Sequence, residues 1–280
     1  MMDATPAARA AEVPSAQCPS TQSPPAQPLP AHLRFRAGPD ELRGRVVAIT
    51  GAGDGIGRAL ALAAAAHGAE VVLIGRTVRK LEQVHAQIAA LNRAQASIAP
   101  LDLEKALAHD YDQLAAAMQQ RYGRLDGLIH NAAILGALAP VEHYDVPTWC
   151  RVLHVNLTAA FALTQVLLPV IRASADASII FTSSGVAQRP RAYWGAYAVS
   201  KAGVETLSRL LSEELHSAGT TRVNALNPGA VRTRMRSQAF PAEDPRRLVA
   251  AEDIVQPYLW LLGAASRGVT GQCLDCQAAR

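Results

Sequence analysis

From residue 43 onward the chain alternates between short runs rich in Val, Ile and Leu and longer segments rich in Ala and Leu. The runs at 46–50, 71–75, 97–101, 126–130, 178–183, 222–226 and 270–274 read as strands, and the segments at 57–67, 78–91, 107–122, 148–173, 198–217 and 251–262 read as helices. Strand, helix and strand in repetition return to one sheet as parallel neighbours through right-handed crossovers, so helices cover both faces. About seven strands predict an α/β fold over residues 41–280: a single doubly wound, Rossmann-type parallel sheet.

Residues 1–40 follow a different rule. They hold eight of the 17 prolines, with Ala, Ser, Gln and Thr and no apolar periodicity, and are expected to form a disordered tail. The tail lacks the apolar core of a signal peptide. Its low acidity leaves a mitochondrial presequence as an alternative, which its prolines argue against by breaking the amphipathic helix. Cys18 lies in this tail and is read as inert.

Charge excludes some partners. The 27 basic residues against 23 acidic ones give a net charge of +4 and a pI near 9.0, but only Lys80, Lys105 and Lys201 are lysines and no block of like charge forms, so a nucleic-acid arm is not expected. Four cysteines, at 18, 150, 273 and 276, are too few for a disulfide-stapled secreted domain, so the reducing cytosol is the default. The most apolar stretch, residues 157–171, is shorter than a membrane span and is interrupted by Thr158, Thr164, Gln165 and Pro169. No membrane span and no metal site are expected.

The first strand runs straight into Thr50-Gly51-Ala52-Gly53-Asp54-Gly55-Ile56-Gly57 before a helix. Glycines allow a tight turn and close backbone approach, and the helix N-terminus offers free N–H groups to a phosphate. An ordinary turn and a methyltransferase loop for S-adenosylmethionine are the alternatives. The second strand ends Gly75-Arg76, where an NAD-selective site would carry an acid, so Arg76 points to NADP(H). Asp54 argues the other way and keeps NAD(H) possible; Arg76 as a solvated strand end is the bland reading.

Of the six tyrosines only Tyr197 has a lysine four residues on, Lys201. On a helix this spacing sets the ammonium beside the phenol, where a fixed positive charge is expected to lower the phenol pKa and make it an acid–base group.

These elements, with Asn131-Ala132, Ser184 thirteen residues before Tyr197, and Pro228-Gly229 followed by Thr233, resemble the short-chain dehydrogenase/reductase family from about residue 44 to residue 276. The runs 194–197, 227–233 and 239–245 are similar to the YciK-type oxidoreductases within it. The resemblance implies that Tyr197 is the acid/base, that Ser184 bonds the substrate oxygen, and that Lys201 tunes Tyr197 and holds the nicotinamide ribose. It implies that Asn156 holds a water relaying protons from Lys201. The implied cofactor site comprises Gly51, Gly53, Asp54, Gly55, Ile56, Gly57, Arg76, Asp102 and Leu103, then Asn131, Ala132, Ala133, Tyr197 and Lys201, and finally Pro228, Gly229, Val231 and Thr233. The chain departs from the family's usual Asn-Asn-Ala-Gly in reading His130-Asn131-Ala132-Ala133. Here the extra methyl of Ala133 would crowd the cofactor, and His130 is read as a satisfied strand-end residue.

Cys273-Leu274-Asp275-Cys276 has redox or metal spacing, but on a strand such residues face opposite ways, so it is read as incidental. Arg189, Arg191, Arg232, Arg234, Arg236, Arg246 and Arg247 flank the implied substrate side; they are solvated, or else they bind a substrate anion. Met235, Phe240 and Trp194 line an apolar pocket or pack a lid. Helix 148–173, apolar on more than one face, points to a partner subunit. The expectation is therefore a cytoplasmic, homodimeric or homotetrameric NADP(H)-preferring oxidoreductase acting on a small carbonyl or alcohol substrate. Its rivals are a non-catalytic dinucleotide-sensing protein, which has no need of the acid, and a methyltransferase, which leaves Tyr197 and Lys201 unexplained.

Overall fold

The computed structural model describes residues 29–217 and 219–278. Seven strands, β1 (Val46–Thr50), β2 (Glu70–Gly75), β3 (Ala96–Pro100), β4 (Gly127–His130), β5 (Ala177–Thr182), β6 (Thr221–Asn227) and β7 (Cys273–Asp275), form one sheet in the order β3-β2-β1-β4-β5-β6-β7. Every neighbouring pair is parallel, and β1, β4 and β5 are buried along their whole length, as strands covered on both faces must be. One face packs on α2 (Gly55–Ala66), α3 (Val78–Ala90) and α10 (Val255–Leu262). The other packs on α4 (Ala108–Tyr122), α6 (Ala159–Arg172) and α8 (Gly195–His216), with the short α7 (Gly185–Gln188) between β5 and α8. The chain reverses its direction of travel between β1 and β4, which opens a crevice at their carboxyl ends.

The expected doubly wound sheet is thus present, with some boundaries moved by tertiary contacts. Residues 31–40, assigned to the disordered tail, instead dock: α1 (Ala31–Arg34) buries His32 against Trp260, its Nε2 3.0 Å from the carbonyl oxygen of Asp275, and the Ala37 amide donates to Gln256 at 2.8 Å. His32, Phe35 and Ala37, buried or partly buried but scattered through a proline-rich stretch, carry no periodicity that marks them in the sequence. The remainder of that assignment, residues 1–28 with Cys18, lies outside the described residues.

The long helix expected at 148–173 starts earlier, at α5 (Val146–Leu153), where Asp145 accepts from the Thr148 amide at 2.8 Å. It then passes through a π-helical turn, His154–Thr158, into α6. The continuous run Val146–Arg172 is long and apolar enough to cross a membrane, longer than the expected 157–171 stretch. Half of its most apolar window is buried inside the fold, where Leu163, Leu167, Val170 and Ile171 of α6 pack against the sheet. The last strand is shorter than expected because Gly271, at φ +70°, turns the chain just before it.

Candidate active site

A cleft of about 590 Å³ opens at the carboxyl ends of β1, β2, β4 and β5. At one end lies the loop from β1 to α2, where Gly51 and Gly55 adopt positive φ of +67° and +50°. Gly57 does not face the cleft; a Cβ there would sit 2.2 Å from the Gly51 carbonyl oxygen, so the third glycine lets α2 close against the loop. Asn131 braces the same loop: its Nδ2 donates to the Thr50 carbonyl at 3.2 Å, while its amide and that of Ala132 donate to Thr50 Oγ1 at 3.0 Å. Gly51, Gly53, Asp54, Gly55, Ile56, Arg76, Asp102, Leu103, Asn131, Ala132, Ala133, Pro228 and Thr233 all line the cleft, with Tyr197 and Lys201 at its far end.

Gly229 and Val231 do not line it. Val231 is buried and bridges to Val249, and Gly229 turns the chain at φ +74° where Gln277 leaves no room for a Cβ. Both shape the backbone that carries Thr233.

Asp54 does not act as the opposing charge expected of it. One oxygen accepts from the Gly55 amide at 2.8 Å and caps α2, and the other meets Lys80 Nζ at 2.5 Å. The Lys80 hydrogen bond and charge outweigh partial burial and hold the carboxyl below its ordinary range. Lys80, in the first turn of α3, therefore belongs to the cleft although the sequence reading passed it over; being one of three lysines, just beyond Arg76, was the available signal. Arg76 is itself exposed, with Nη1 3.8 Å from Glu104, and Arg151 approaches the same carboxylate at 3.7 Å.

At the far end Tyr197 sits in the first turn of α8, which begins three residues before the expected 198. Its ring is buried, and Lys201, one turn on, places Nζ 5.7 Å from the ring centroid and donates to the Thr182 carbonyl at 2.7 Å. The expected lowering of the phenol by the lysine is not what this geometry produces. Burial pushes Tyr197 up to about 12, against the pull of the Ser184 hydrogen bond, and burial pushes Lys201 down to about 8. For both groups the loss of water on burial is the largest cause.

Glu205, another turn along α8, was missed. It is buried and accepts from Ser183 Oγ at 2.6 Å. Thr182 and Ser183 at the end of β5 are thus tied to Lys201 and Glu205, and Ser184 follows them beside Tyr197, so the three residues face three side chains at fourth-residue spacing on α8.

Asn156, in the π-helical turn, has no free amide hydrogen: Nδ2 donates to the Ile134 carbonyl and to Ser200 Oγ, both at 3.0 Å, and Oδ1 accepts from the Ile134 amide at 2.8 Å. The side chain braces the loop after β4 instead of opening on the cleft. His130 is a buried neutral residue, 2.8 Å from Thr164 Oγ1 and stacked on Phe181; burial first, then the Lys201 charge, push it down to about 3. Cys276 is buried and Cys273 is driven up to about 11, chiefly by burial, so neither is a reactive thiolate.

The donors fit a long anionic dinucleotide: cations and helix-terminal amides at one end, and at the other a buried ammonium whose only hydrogen-bond partner among the described residues is one carbonyl. The family model for short chain dehydrogenases matches residues 45–244, and the chain belongs to that family. Among its relatives, the uncharacterized oxidoreductase YciK of Escherichia coli K12 is 42% identical over 248 residues, which cover 89% of this chain and 98% of YciK. A short chain dehydrogenase structure from Pseudomonas syringae is 48% identical with a TM-score of 0.85, covering 87% of this chain and 98% of its own. Another, from Escherichia coli CFT073 and complexed with NADPH, is 44% identical with a TM-score of 0.82, covering 86% and 99%.

Proposed function

We propose that this oxidoreductase prefers NADP(H) and reduces a carbonyl, or oxidises the matching secondary alcohol, with Tyr197 as the acid/base. The observation that carries the reading is the Ser184–Tyr197–Lys201 cluster, closed over by protein at one end of a cleft whose other end presents Arg76 and Lys80. The bound nicotinamide would supply or accept the hydride.

The chain's own residues handle position and the proton. A phenol near 12 stays protonated at neutral pH, so Tyr197 arrives charged with the proton that the carbonyl oxygen needs. The Ser184 hydroxyl, close enough to Tyr197 to pull its pKa down, would be the second donor to that oxygen and favour its developing negative charge. Lys201, near 8, keeps its proton at neutral pH and has donors left for the ribose hydroxyls. In the oxidative direction Lys201, with Nζ 5.7 Å from the Tyr197 ring centroid, would be the cation beside the phenolate that must form. Gly51, Gly55 and the α2 N-terminus would take the pyrophosphate, and Asp102 and Leu103 the adenine side. Arg76 would pair with the 2′-phosphate through charge-assisted bonds, with Lys80 beside it. Asn156 holds the Ile134 loop in place. A cytoplasmic homodimer or homotetramer belongs to the same proposal, supported by Phe161 on α6 and Val199 and Leu210 on α8, apolar side chains about half exposed on the same side of the sheet.

The test is Tyr197→Phe. Turnover of NADPH with carbonyl substrates is expected to fall by roughly 10²–10⁴-fold, with NADPH affinity nearly unchanged. Activity within about tenfold of wild type would sink the assignment.

A further inference from the structure

Charge is distributed unevenly along the cleft. Asp54, Lys80, Arg76 and Glu104 line the end beside β2, paired with one another as described. Arg234, which also lines the cleft, follows Thr233, whose methyl group stands beside Gly55 of the glycine loop, so it enters the cleft from this side. The Tyr197 end is built otherwise. Leu135, Val186, Tyr197 and Ala198 form a small buried cluster, with Trp194 and Met235 packed on it. The Trp194 ring lies 5.7 Å from Tyr197 and 5.7 Å from Phe240.

The nearby lid charge is already satisfied. Arg236, on α9 (Arg234–Ala239), makes two hydrogen bonds to Glu243 at 2.6 and 2.7 Å and lies 3.8 Å over the Phe240 ring. Arg189 and Arg191 are exposed and do not line the cleft. Lys201 lies behind Tyr197, and in the reading above its remaining donors go to the ribose. The polar side chain that α9 offers one turn after Met235 is neutral Gln238.

Resting on the oxidoreductase reading above, we infer that the substrate is an uncharged carbonyl compound with an apolar body, seated on Leu135 and Met235, with Trp194 packed behind them and Gln238 as its one hydrogen-bonding partner from the lid. Carbonyl compounds bearing a carboxylate or phosphate near the reacting carbon are poor substrates, because that charge would lose its water against Leu135 and Met235 with no cation free at that end among the described residues. Aromatic and alicyclic ketones, aldehydes and quinones fit; keto acids and sugar phosphates do not.

The experiment compares methyl benzoylformate with benzoylformate, which share one carbonyl and differ in charge. The ester should be reduced with a kcat/KM at least about a hundredfold higher. Binding is read separately, by quenching of tryptophan fluorescence in the NADP+-loaded enzyme, which cannot turn the ketone over. The ester should quench, the acid should not, and Trp194→Phe should remove most of the signal while Trp149 and Trp260 remain. Gln238→Arg should bring the acid toward parity. Equal or better binding or reduction of the acid overturns the inference, as does failure of the ester to bind an enzyme that binds NADP+. If the ester binds selectively but no carbonyl is reduced, or Tyr197→Phe changes nothing, the oxidoreductase mechanism fails while the binding preference stands.

Discussion

At the amino ends of β5 and β6, Asp176 accepts from Arg45 at 2.5 Å and from Arg222 at 2.8 Å, with Arg267 at 3.4 Å. Arg222 is buried and also donates to the Leu261 carbonyl at 2.7 Å. Burial pushes the Asp176 carboxyl up, but Arg222 and Arg45 more than offset it and hold it below its ordinary range. Beside it, Asp126 accepts from the Val46 amide at 2.8 Å and from Ser174 at 2.6 Å. At the carboxyl ends of the same strands, by contrast, Lys201 is as deeply buried and has one carbonyl for company, while Arg76 stands 3.8 Å from its nearest carboxylate. One end of the sheet closes its charges on themselves; the other leaves them open. Groups held short of partners cost stability, and they are the groups that bind.

That contrast can be broken most forcefully at its closed end. Asp176→Ala strips the counter-charge from a buried Arg222 and should cost about 3–5 kcal/mol of unfolding free energy, read by urea denaturation, with activity per folded molecule retained. A cost under about 1 kcal/mol would mean that the arginines find water instead.

At the open end the sign should reverse. The folded pKa of Lys201, about 8, lies below its ordinary 10.5, so between these values the unfolded chain binds more protons and stability climbs with pH. The charged lysine therefore opposes folding at pH 7. Lys201→Met should relieve a penalty of about 3 kcal/mol, less about 1–3 for the orphaned Thr182 carbonyl. The variant should be equally or slightly more stable at neutral pH, lose that advantage near pH 10.5, and bind NADPH poorly. Marked destabilisation at pH 7 would show that the ammonium is a structural staple like Arg222.

Smaller effects sharpen the comparison within the cleft. Arg76→Ala should lower the preference for NADPH over NADH by about tenfold at low salt and by less at high salt, measured as a ratio of dissociation constants. Lys80→Ala should act in the same direction, because it also releases the negative charge of Asp54 toward the phosphate. Two unchanged ratios would move the selectivity elsewhere. Smallest of all, extending an N-terminal deletion from residue 28 to residue 37 removes the packing of His32 and Phe35 and should lower Tm by about 2–5 °C.

Much of the closed architecture was legible in the chain. Six of the seven strands fall within two residues of their expected bounds; a buried parallel strand such as β1 or β2 writes itself as a near-continuous apolar run, while the half-buried edge strand β3 was placed by the helix–strand alternation around it. Tyr197 and Lys201 were legible because fourth-residue spacing on a helix is a local property. The docked α1, the π-helical turn that positions Asn156 and the early start of α8 were not, since each depends on what the segment packs against.

By itself, then, the sequence determined what repeats locally: the strand–helix alternation, the glycine loop between β1 and α2, and the phenol–ammonium pair on α8. Only the tertiary structure decided how charges are answered. Asp54 meets Lys80 across 26 residues, Ser183 meets Glu205 across 22, and Asp176 meets Arg222 across 46. It also set the protonation of Tyr197 and Lys201, which burial moves in opposite directions. Spacing can place two groups side by side, but the water they lose is fixed by every segment that closes over them.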